Sequence, residues 1–269
     1  MTLDKLRLVF ALACASLLAS SLSFADTAIL VALPAEQSAL SREVRMVGQS
    51  VDLAQHRVSI GYHKGEKLYI VRTGAGNLNS AMVTQALLTR YEIDRVISIG
   101  VAGNLNDEWK VGDLLVATYV VNHQEGTERP GGFEAKENSE SRIQESGGNR
   151  TKCEALRSNA VEIARTTLTN GVVREGRLVS GDSFIASTAK RNWLRETFHA
   201  DAVDMVSAGM ARVCEANGVP CVIIRVLSDN ADESASAAFT RFVQSGKDKE
   251  PVTVPIALRL IEQVAPSHP

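Results

Sequence analysis

An acidic side chain lies just after a short apolar run, where an α/β enzyme would place a catalytic group. Residues 221–226 are almost all apolar, are rich in β-branched types and are too few for a helix, which predicts a strand buried on both faces. Asp229 follows in the polar segment 228–232, and α/β proteins bind ligands outside the carboxyl ends of their strands. Asp229 is therefore a candidate acid. The alternative from spacing alone is that it caps the following helix.

The segment before this strand is typical of a helix. The helix is predicted to begin near Ser207 and to end at Asn217 and Gly218, because glycine accepts the left-handed conformation that closes a last turn. Pro220 follows, where a helix could not continue. A helix, a tight turn and a buried strand would therefore position Asp229.

Strand and helix patterns alternate over the rest of the chain. Apolar runs predict strands at 28–33, 58–62, 67–73, 95–99, 111–121 and 176–180, and apolar stripes predict helices after Pro34, at about 79–91 and at 151–168. Residues 125–150 are polar and rich in Gly, Glu and Ser, which predicts a long surface loop. Because no linker or repeat divides the chain, we expect the α/β class, as a single-domain three-layer α/β/α fold with a central mixed, largely parallel sheet.

The composition is that of an ordinary globular protein. Of the 269 residues, 45% are hydrophobic and 22% are charged, and the formal net charge is −2. Such a chain can form one large domain, and its near-neutral charge without a cluster of Lys and Arg argues against nucleic acid as a partner. The five His are scattered and no CxxC or Cys/His cluster occurs, so neither a metal nor another cofactor is expected.

The N-terminus has the pattern of a signal peptide. Two basic residues precede an apolar run at 8–22, and the small residues Ser23 and Ala25 fit an A-x-A-like cleavage site. The run is short for a membrane span, and a retained N-terminal anchor is the alternative. We therefore expect a signal peptide at 1–25, a domain at 26–269, a periplasmic or secreted protein, and no membrane association after cleavage.

Three cysteines remain after that cleavage, which is an odd number. Cys214 lies in the predicted helix and Cys221 opens the predicted strand, so packed thiols are expected rather than a bridge. An oxidising compartment allows one disulfide, but nothing in the sequence selects a pair among these two residues and Cys153.

A series of short motifs occurs in one order along nearly the whole chain after residue 26. After Glu36 these are TGAGNLNSA (73–81), ISIGVAGNL (97–105), VGD (111–113), VSGDSFIA (179–186), VDM (203–205) and LSDNAD (227–232). Each motif alone is a common turn sequence, whereas their order and separations are specific. The chain resembles the nucleoside phosphorylase superfamily, and within it the 5'-methylthioadenosine/S-adenosylhomocysteine nucleosidases. This resemblance implies a nucleoside phosphorylase-like fold and a purine nucleoside as the small-molecule partner.

The resemblance implies two catalytic carboxyl groups. Asp229 matches the acid that helps to protonate N7 of adenine, which is needed because a purine anion is a poor leaving group. Glu36 matches the glutamate that orients and deprotonates the attacking water and stabilises positive charge on the sugar. The alternative for Glu36 is a solvent-exposed residue in the first turn of a helix, where the helix dipole favours an acid.

The resemblance also implies a set of substrate-binding residues. Phe184 and Ile185 match the segment that holds the base, and Met205 matches the methionine that packs against the ribose. A core aromatic and a core-filling methionine are the alternatives. Gly76 would let the backbone approach the ligand, and Ser228 precedes the catalytic aspartate.

The sequence departs from the family at two places. The glutamate that accepts hydrogen bonds from the ribose hydroxyls is replaced by Val206, and burying two unpaired hydroxyls costs about 1–3 kcal/mol each. Asp204 lies close by in sequence but could substitute only with a backbone shift. Val101 stands where nucleosidases often have Ser or Thr near the water. Sugar recognition is thus expected to differ, while both catalytic carboxyl groups are retained.

Phosphorolysis is the neighbouring reaction in the superfamily, and it requires Arg and hydroxyl groups around a phosphate. The turn segments that carry this Arg in phosphorylases contain no Arg in this sequence. Arg72 and Arg225 remain as candidates, but Arg225 lies in the middle of a strand and is expected to pair internally or face outward. Water is therefore the expected acceptor. The predicted function is an exported purine nucleosidase acting on methylthioadenosine- or adenosylhomocysteine-like nucleosides. The alternatives are a secreted nucleoside- or purine-binding or storage protein of the same fold, and a phosphorylase. The resemblance also implies a homodimer.

Overall fold

The computed structural model describes residues 26–135, 140–141, 150–245 and 251–263, so the predicted signal peptide lies outside the described residues. The strands are β1 (Thr27–Val31), β2 (Arg45–Met46), β3 (Val51–Leu53), β4 (His56–His63), β5 (Glu66–Arg72), β6 (Arg95–Asn104), β7 (Leu114–Asn122), β8 (Gly126–Arg129), β9 (Gly132–Ala135), β10 (Glu140–Ser141), β11 (Val173–Ser180), β12 (Ala202–Asp204) and β13 (Cys221–Asp229). The helices are α1 (Pro34–Glu43), α2 (Asn77–Arg90), α3 (Arg150–Thr167), α4 (Thr188–Phe198), α5 (Ser207–Asn217), α6 (Ala235–Ser245) and α7 (Thr253–Gln263).

Eleven strands form one sheet whose centre is parallel. Its order is β10-β7-β11-β12-β6-β1-β5-β4-β2, with β13 paired to β6 and β7 and β3 paired to β4. Five pairs are parallel: β1 with β5, β1 with β6, β13 with β6, β11 with β7 and β11 with β12. Antiparallel pairing joins β4 to β5, β10 to β7, β12 to β6 and β13 to β7. Every residue of β1 and β13 is buried, as their unbroken apolar runs predict. The predicted mixed, largely parallel α/β sheet is confirmed.

Helices cover both faces of this sheet and bury two separate apolar layers. On one face α1, α3 and α7 pack over the sheet, for example through Leu40, Leu156 and Ile256. On the other face α2 and α5 pack through Leu87 and Met210. This arrangement is the expected three-layer sandwich, in which the loops at the carboxyl ends of the strands are left free to form a site.

The segment predicted as a long surface loop contains regular structure. β8 and β9 form a two-stranded antiparallel ribbon that turns at Pro130 and Gly131, and Gly132, which opens β9, has a φ of 118° that suits glycine. Phe133 of the ribbon packs on Trp193 of α4 with ring centroids 5.7 Å apart. The loop prediction was wrong for this part, because the single apolar contact of Phe133 is not evident in a segment that is otherwise polar. Residues 136–139 and 142–149 of the predicted loop lie outside the described part of the chain.

Cys153, Cys214 and Cys221 are all buried free thiols, as the expectation of packed side chains requires. Among the described helices, none is long and apolar enough to cross a membrane.

Candidate active site

A cavity opens where the carboxyl ends of the central strands meet the loops that follow them. It encloses about 670 Å³ of space between atoms, part of it open to solvent, and its wall is mainly apolar. The lining residues are Ala32, Leu33, Gly74, Ala75, Val101, Ala102, Gly103, Ser183, Phe184, Ile185, Val203, Asp204, Met205, Val206, Ser228, Asp229 and Phe239. Such a concave apolar site with few polar groups is the usual form of a small-molecule site.

Asp229 ends β13 with its side chain in the cavity wall and only 2% of its surface exposed. Its Oδ2 accepts a hydrogen bond from Ser228 Oγ at 2.7 Å, and its Oδ1 accepts one from the Ala231 N–H at 2.9 Å. The following helix, α6, begins only at Ala235, so Asp229 does not cap it. Burial raises the pKa of Asp229, and the two hydrogen bonds oppose this shift only in part. The cavity therefore holds a carboxyl group that keeps its proton to higher pH than an exposed aspartate.

Ser228→Ala is expected to move the alkaline limb of the pH–rate profile upward. The Ser228 hydroxyl donates to the ionised carboxylate and so lowers the pKa of Asp229; without it the pKa rises further, and the acid stays protonated to higher pH. The measurement is kcat/KM for nucleoside cleavage against pH, with Ser234→Ala on the same connection as the control. An alkaline limb that moves downward or stays in place contradicts a catalytic proton on Asp229.

Glu36 lies in the first turn of α1 and is buried, so the solvent-exposed alternative was wrong. Its Oε2 accepts hydrogen bonds from the N–H groups of Ala32 at 3.1 Å and Leu33 at 3.0 Å, and its Oε1 accepts one from Thr253 Oγ1 at 3.4 Å. Burial raises the pKa of Glu36, although these contacts and the Arg225 guanidinium act in the opposite direction. A buried carboxylate with a raised pKa and a loosely occupied oxygen is suited to accept a proton from water.

Glu36 lies in a second cavity directly behind the wall of the first. Leu33 and Val101 line both cavities. The rest of the second cavity is lined by residues of α1, β6 and β13, by the end of α6 and by the segment that leads into α7. In β6, Val101 pairs beside Val226, and Gly103, two residues further on, pairs beside Asp229. The two carboxyl groups therefore approach one shared region from different sides, with Leu33 and Val101 between them.

The predicted base-binding segment lines the cavity beside Asp229. Phe184 is 44% exposed and meets Phe239 of α6 edge to face, with ring centroids 5.8 Å apart, while Ile185 is buried. An exposed aromatic ring at a cavity mouth offers a face on which a planar base can stack. The alternative of a core aromatic does not apply to Phe184, because almost half of it faces solvent.

Met205 and Val206 also line the cavity, but Asp204 has no free carboxylate oxygen to offer a sugar. Its Oδ2 accepts hydrogen bonds from Arg225 Nε at 2.9 Å and from Ser207 Oγ, and its Oδ1 accepts from the N–H groups of Val206 and Ser207. The expectation that Asp204 could replace the family's glutamate only after a backbone shift agrees with these contacts.

Arg225 is fully buried, and its pairing with Asp204 confirms the predicted internal role. The same guanidinium donates to Ser98 O at 3.1 Å, to Ser98 Oγ at 3.0 Å and to Ser207 Oγ at 2.9 Å. Removing one partner of a buried ion pair typically costs about 3–5 kcal/mol, so this network fixes the backbone at Asp204 and Ser207 beside the cavity.

Gly76, expected to contact substrate, lies behind the wall instead. Its N–H donates to Met205 O at 2.9 Å, and its φ of 110° explains the glycine. The neighbouring Gly74 and Ala75 line the cavity in its place. Ser228 lines the cavity, but its hydroxyl is engaged with Asp229.

Sequence reasoning missed several lining residues. Ala32 and Leu33 directly follow β1, a position that could have identified them by the strand-end rule. Phe239 gave no signal of its own, because an aromatic residue in an amphipathic helix usually packs in the core.

Comparisons with known proteins agree with this geometry. The family model described as the phosphorylase superfamily matches residues 26–261. The aminodeoxyfutalosine nucleosidase of Helicobacter pylori is 33% identical over 190 residues, which cover 68% of this chain and 78% of the relative. The 5'-methylthioadenosine/S-adenosylhomocysteine nucleosidase of Bacillus pumilus is 27% identical over 248 residues, which cover 88% of this chain and 98% of the relative.

A solved structure shares the whole architecture. The Helicobacter pylori 5'-methylthioadenosine/S-adenosylhomocysteine nucleosidase with butyl-thio-DADMe-Immucillin-A superposes with a TM-score of 0.75 at 27% identity, covering 90% of this chain and 100% of that one. The match of the family model over most of the chain, the similarity to these nucleosidases and the strand-end cavity lead to one conclusion: the chain belongs to the phosphorylase superfamily.

Proposed function

We propose that this protein is an exported nucleosidase that releases adenine from adenosine-like nucleosides with a substituent at the 5' position of the ribose. The chain is a hydrolase of N-glycosyl bonds, as its nucleosidase relatives are. The observation that carries the proposal is the pair of buried carboxyl groups, Asp229 and Glu36, which line two adjoining cavities that share Leu33 and Val101.

The geometry supports a sequence of proton movements. Protonated Asp229 would donate to N7 of the base as the bond between the sugar and N9 breaks, so that adenine leaves as a neutral molecule. Glu36 would take a proton from a water molecule as its oxygen bonds to the sugar carbon. Because the sugar becomes positively charged during this cleavage, the carboxylate of Glu36 also stabilises the transition state.

Water is favoured over phosphate as the acceptor. A phosphate next to the sugar needs guanidinium groups and hydroxyls to balance its charge. We call the cavity lined by Asp229 the nucleoside cavity, and its lining residues include no arginine. The guanidinium of Arg225 lies nearby, but its N–H groups already donate to Asp204, Ser98 and Ser207. Arg72 lies outside this cavity.

The test is an adenine-release assay with methylthioadenosine, adenosylhomocysteine, adenosine and deoxyadenosine. Release from the 5'-substituted nucleosides supports the proposal. Val206 favours a second reading, a secreted binding or storage protein that keeps the cavity without turnover, because valine cannot accept hydrogen bonds from the ribose. Tight binding of adenine without turnover of any nucleoside would establish that second reading.

Val206→Glu is expected to raise kcat/KM for ribonucleosides by about 5- to 100-fold. A carboxylate here would accept the ribose hydroxyls, and each buried unpaired hydroxyl costs about 1–3 kcal/mol. Val206→Leu, which fills similar space without an acceptor, is the control. If both variants lose activity equally, ribose is recognised by other groups.

Export and a homodimer are further proposals. The signal-like N-terminus supports export, which is tested by N-terminal sequencing of the protein recovered from the periplasm and medium. The exposed apolar residues Leu78 and Met82, one turn apart on α2, support a self-association surface. The molar mass of the purified protein in solution tests it, and a monomer at all accessible concentrations would exclude it.

A further inference from the structure

A second, polar depression adjoins the nucleoside cavity on the side away from Asp229. It shares Ala32 and Gly74 with that cavity, and Arg57, Arg72 and Asp52 line it further out. We call it the basic groove. Nothing in the mechanism above uses it.

Two arginines lie side by side in the basic groove. The pairing of β4 with β5 ends at Val58 opposite Val71, and Arg57 and Arg72 are the next residue on each strand. Both line the groove, and like charges close together on neighbouring strands are destabilising. An anion bound between the two guanidinium groups would relieve this repulsion.

The acidic residue in the groove neutralises this charge only weakly. Asp52 lies opposite Arg57 in the sheet, but the nearest atoms, Arg57 Nε and Asp52 Oδ1, are 3.9 Å apart and both side chains are about three quarters exposed. The backbone of Arg72 pairs with Val31 of β1, but its side chain makes no hydrogen bond or ion pair with any of the residues that the structure describes. Its five N–H donors are therefore available to a ligand.

The floor of the groove is held in place by its own hydrogen bonds. Ala54 and Gln55 form the turn between β3 and β4 with φ values of 48° and 64°, which non-glycine residues rarely adopt. The His56 ring lies within hydrogen-bonding distance of two carbonyl oxygens, with Nδ1 2.7 Å from Ala54 O and Nε2 3.1 Å from Thr73 O. A turn fixed in this way keeps the adjacent Arg57 close to Arg72.

The sheet order gives the direction in which a bound nucleoside would extend. β6, β1 and β5 follow β13 in the sheet, and Arg72 is level with Ile99 of β6, four residues before Gly103, which pairs with Asp229. With about 4.8 Å between strands and about 3.3 Å per residue, the end of β5 lies roughly 14 Å across the sheet and roughly 13 Å along it from the end of β13, or about 19 Å in all. With its base at Asp229 and its sugar over β6 and β1, a nucleoside would direct its 5' substituent past Ala32 and Gly74. Arg72, the last residue of β5, lies at the end of that path.

We propose that Arg72, assisted by Arg57, binds an anionic group, a carboxylate, at the far end of the substrate's 5' substituent. Guanidinium and carboxylate match in shape and charge, and the pair can form two parallel hydrogen bonds. The inference rests on the proposed function and deepens it, since it selects nucleosides with a long, carboxylate-bearing 5' substituent over those with a short neutral one.

The experiment compares three nucleosides and two variants. Adenosylhomocysteine carries the carboxylate, its methyl ester carries the same chain without it, and methylthioadenosine carries a short neutral group. Arg72→Gln is expected to lower kcat/KM about tenfold for adenosylhomocysteine and to change kcat/KM for the methyl ester and for methylthioadenosine by less than about twofold. A tenfold loss corresponds to one charge-assisted hydrogen bond in a site partly screened by solvent. Arg90→Gln, at the exposed end of α2, is the control and should change none of the three.

Equal losses for all three nucleosides, or no loss for adenosylhomocysteine, would overturn the inference while leaving the nucleosidase function intact. Inorganic phosphate at constant ionic strength serves as the probe for a free anion: if it inhibits methylthioadenosine cleavage as strongly as adenosylhomocysteine cleavage, the groove does not serve the substituent. If no nucleoside is cleaved, the proposed function fails, and the inference is then decided by equilibrium binding of the same three ligands to wild type and Arg72→Gln.

Discussion

Replacing Asp229 with asparagine is expected to lower kcat for adenine release by ~10²–10⁴-fold, the usual contribution of a positioned acid. The amide cannot donate the proton that the leaving base needs. Its oxygen can still accept the hydrogen bond from the Ala231 N–H, so the turn after β13 should persist. The measurement is steady-state adenine release, together with the Kd of adenine, which should change little.

Asp232→Asn is the matched control for this variant. Asp232 is an acid on the same connection, and its Oδ1 accepts a hydrogen bond from the Ser234 N–H, which an asparagine oxygen can replace. The control should keep wild-type turnover within a few-fold. Comparable losses in both variants would mean that the segment as a whole, rather than the Asp229 proton, supports activity.

Glu36→Gln is expected to lower kcat by a similar ~10²–10⁴-fold, because an amide cannot accept the proton of the attacking water. The stability of the folded protein, in contrast, should stay the same or increase. Burial raises the pKa of Glu36, so the folded state favours its protonated form, and that stabilisation is lost as pH rises through the raised pKa. At neutral pH the neutral amide removes this cost, so the Tm of the variant should equal or exceed that of wild type.

Glu43→Gln, an exposed acid at the end of the same helix, controls for the change of charge. A fall in Tm with unchanged kcat in Glu36→Gln would show that the buried carboxylate only holds the start of α1 through Ala32 and Leu33. Catalysis would then need another base.

The strands were predictable from the sequence because they are buried on both faces. Apolar runs such as 221–226 stand out without an alignment, and the polar residues directly after them identify the edge at which a site forms. Asp229 was located in this way, whereas Val206 was located by the resemblance, and both residues line the cavity. The antiparallel contacts of β12 with β6 and of β13 with β7 were not predictable, since pairing depends on register between distant segments.

The role of Arg225 could be predicted only in outline. A cation in the middle of an apolar strand must be paired, but the sequence does not show that its partner is Asp204, 21 residues away. For the same reason, residue type alone could not show whether Asp204 can take the place of the missing ribose-binding glutamate. Only the contacts show that both of its oxygens are already occupied.

The ribbon at β8 and β9 and the basic groove have a similar explanation. Both depend on side chains from separate segments: Phe133 packs on Trp193, and Arg57 and Arg72 line one groove. Local composition carries no information on such pairs, because each residue alone is ordinary for a polar segment or a strand end.

The charges buried beside the cavity do not balance. Glu36 and Asp204 are two buried carboxyl groups, and Arg225 pairs directly with Asp204 while its charge also opposes the rise in the pKa of Glu36. With both acids ionised, this region has a surplus of one negative charge that a neutral nucleoside leaves uncompensated. In the proposed reaction, the sugar would acquire a matching positive charge as its bond to the base breaks, so this surplus would stabilise the transition state. The proton that Glu36 takes from the attacking water would then remove the surplus in the product state.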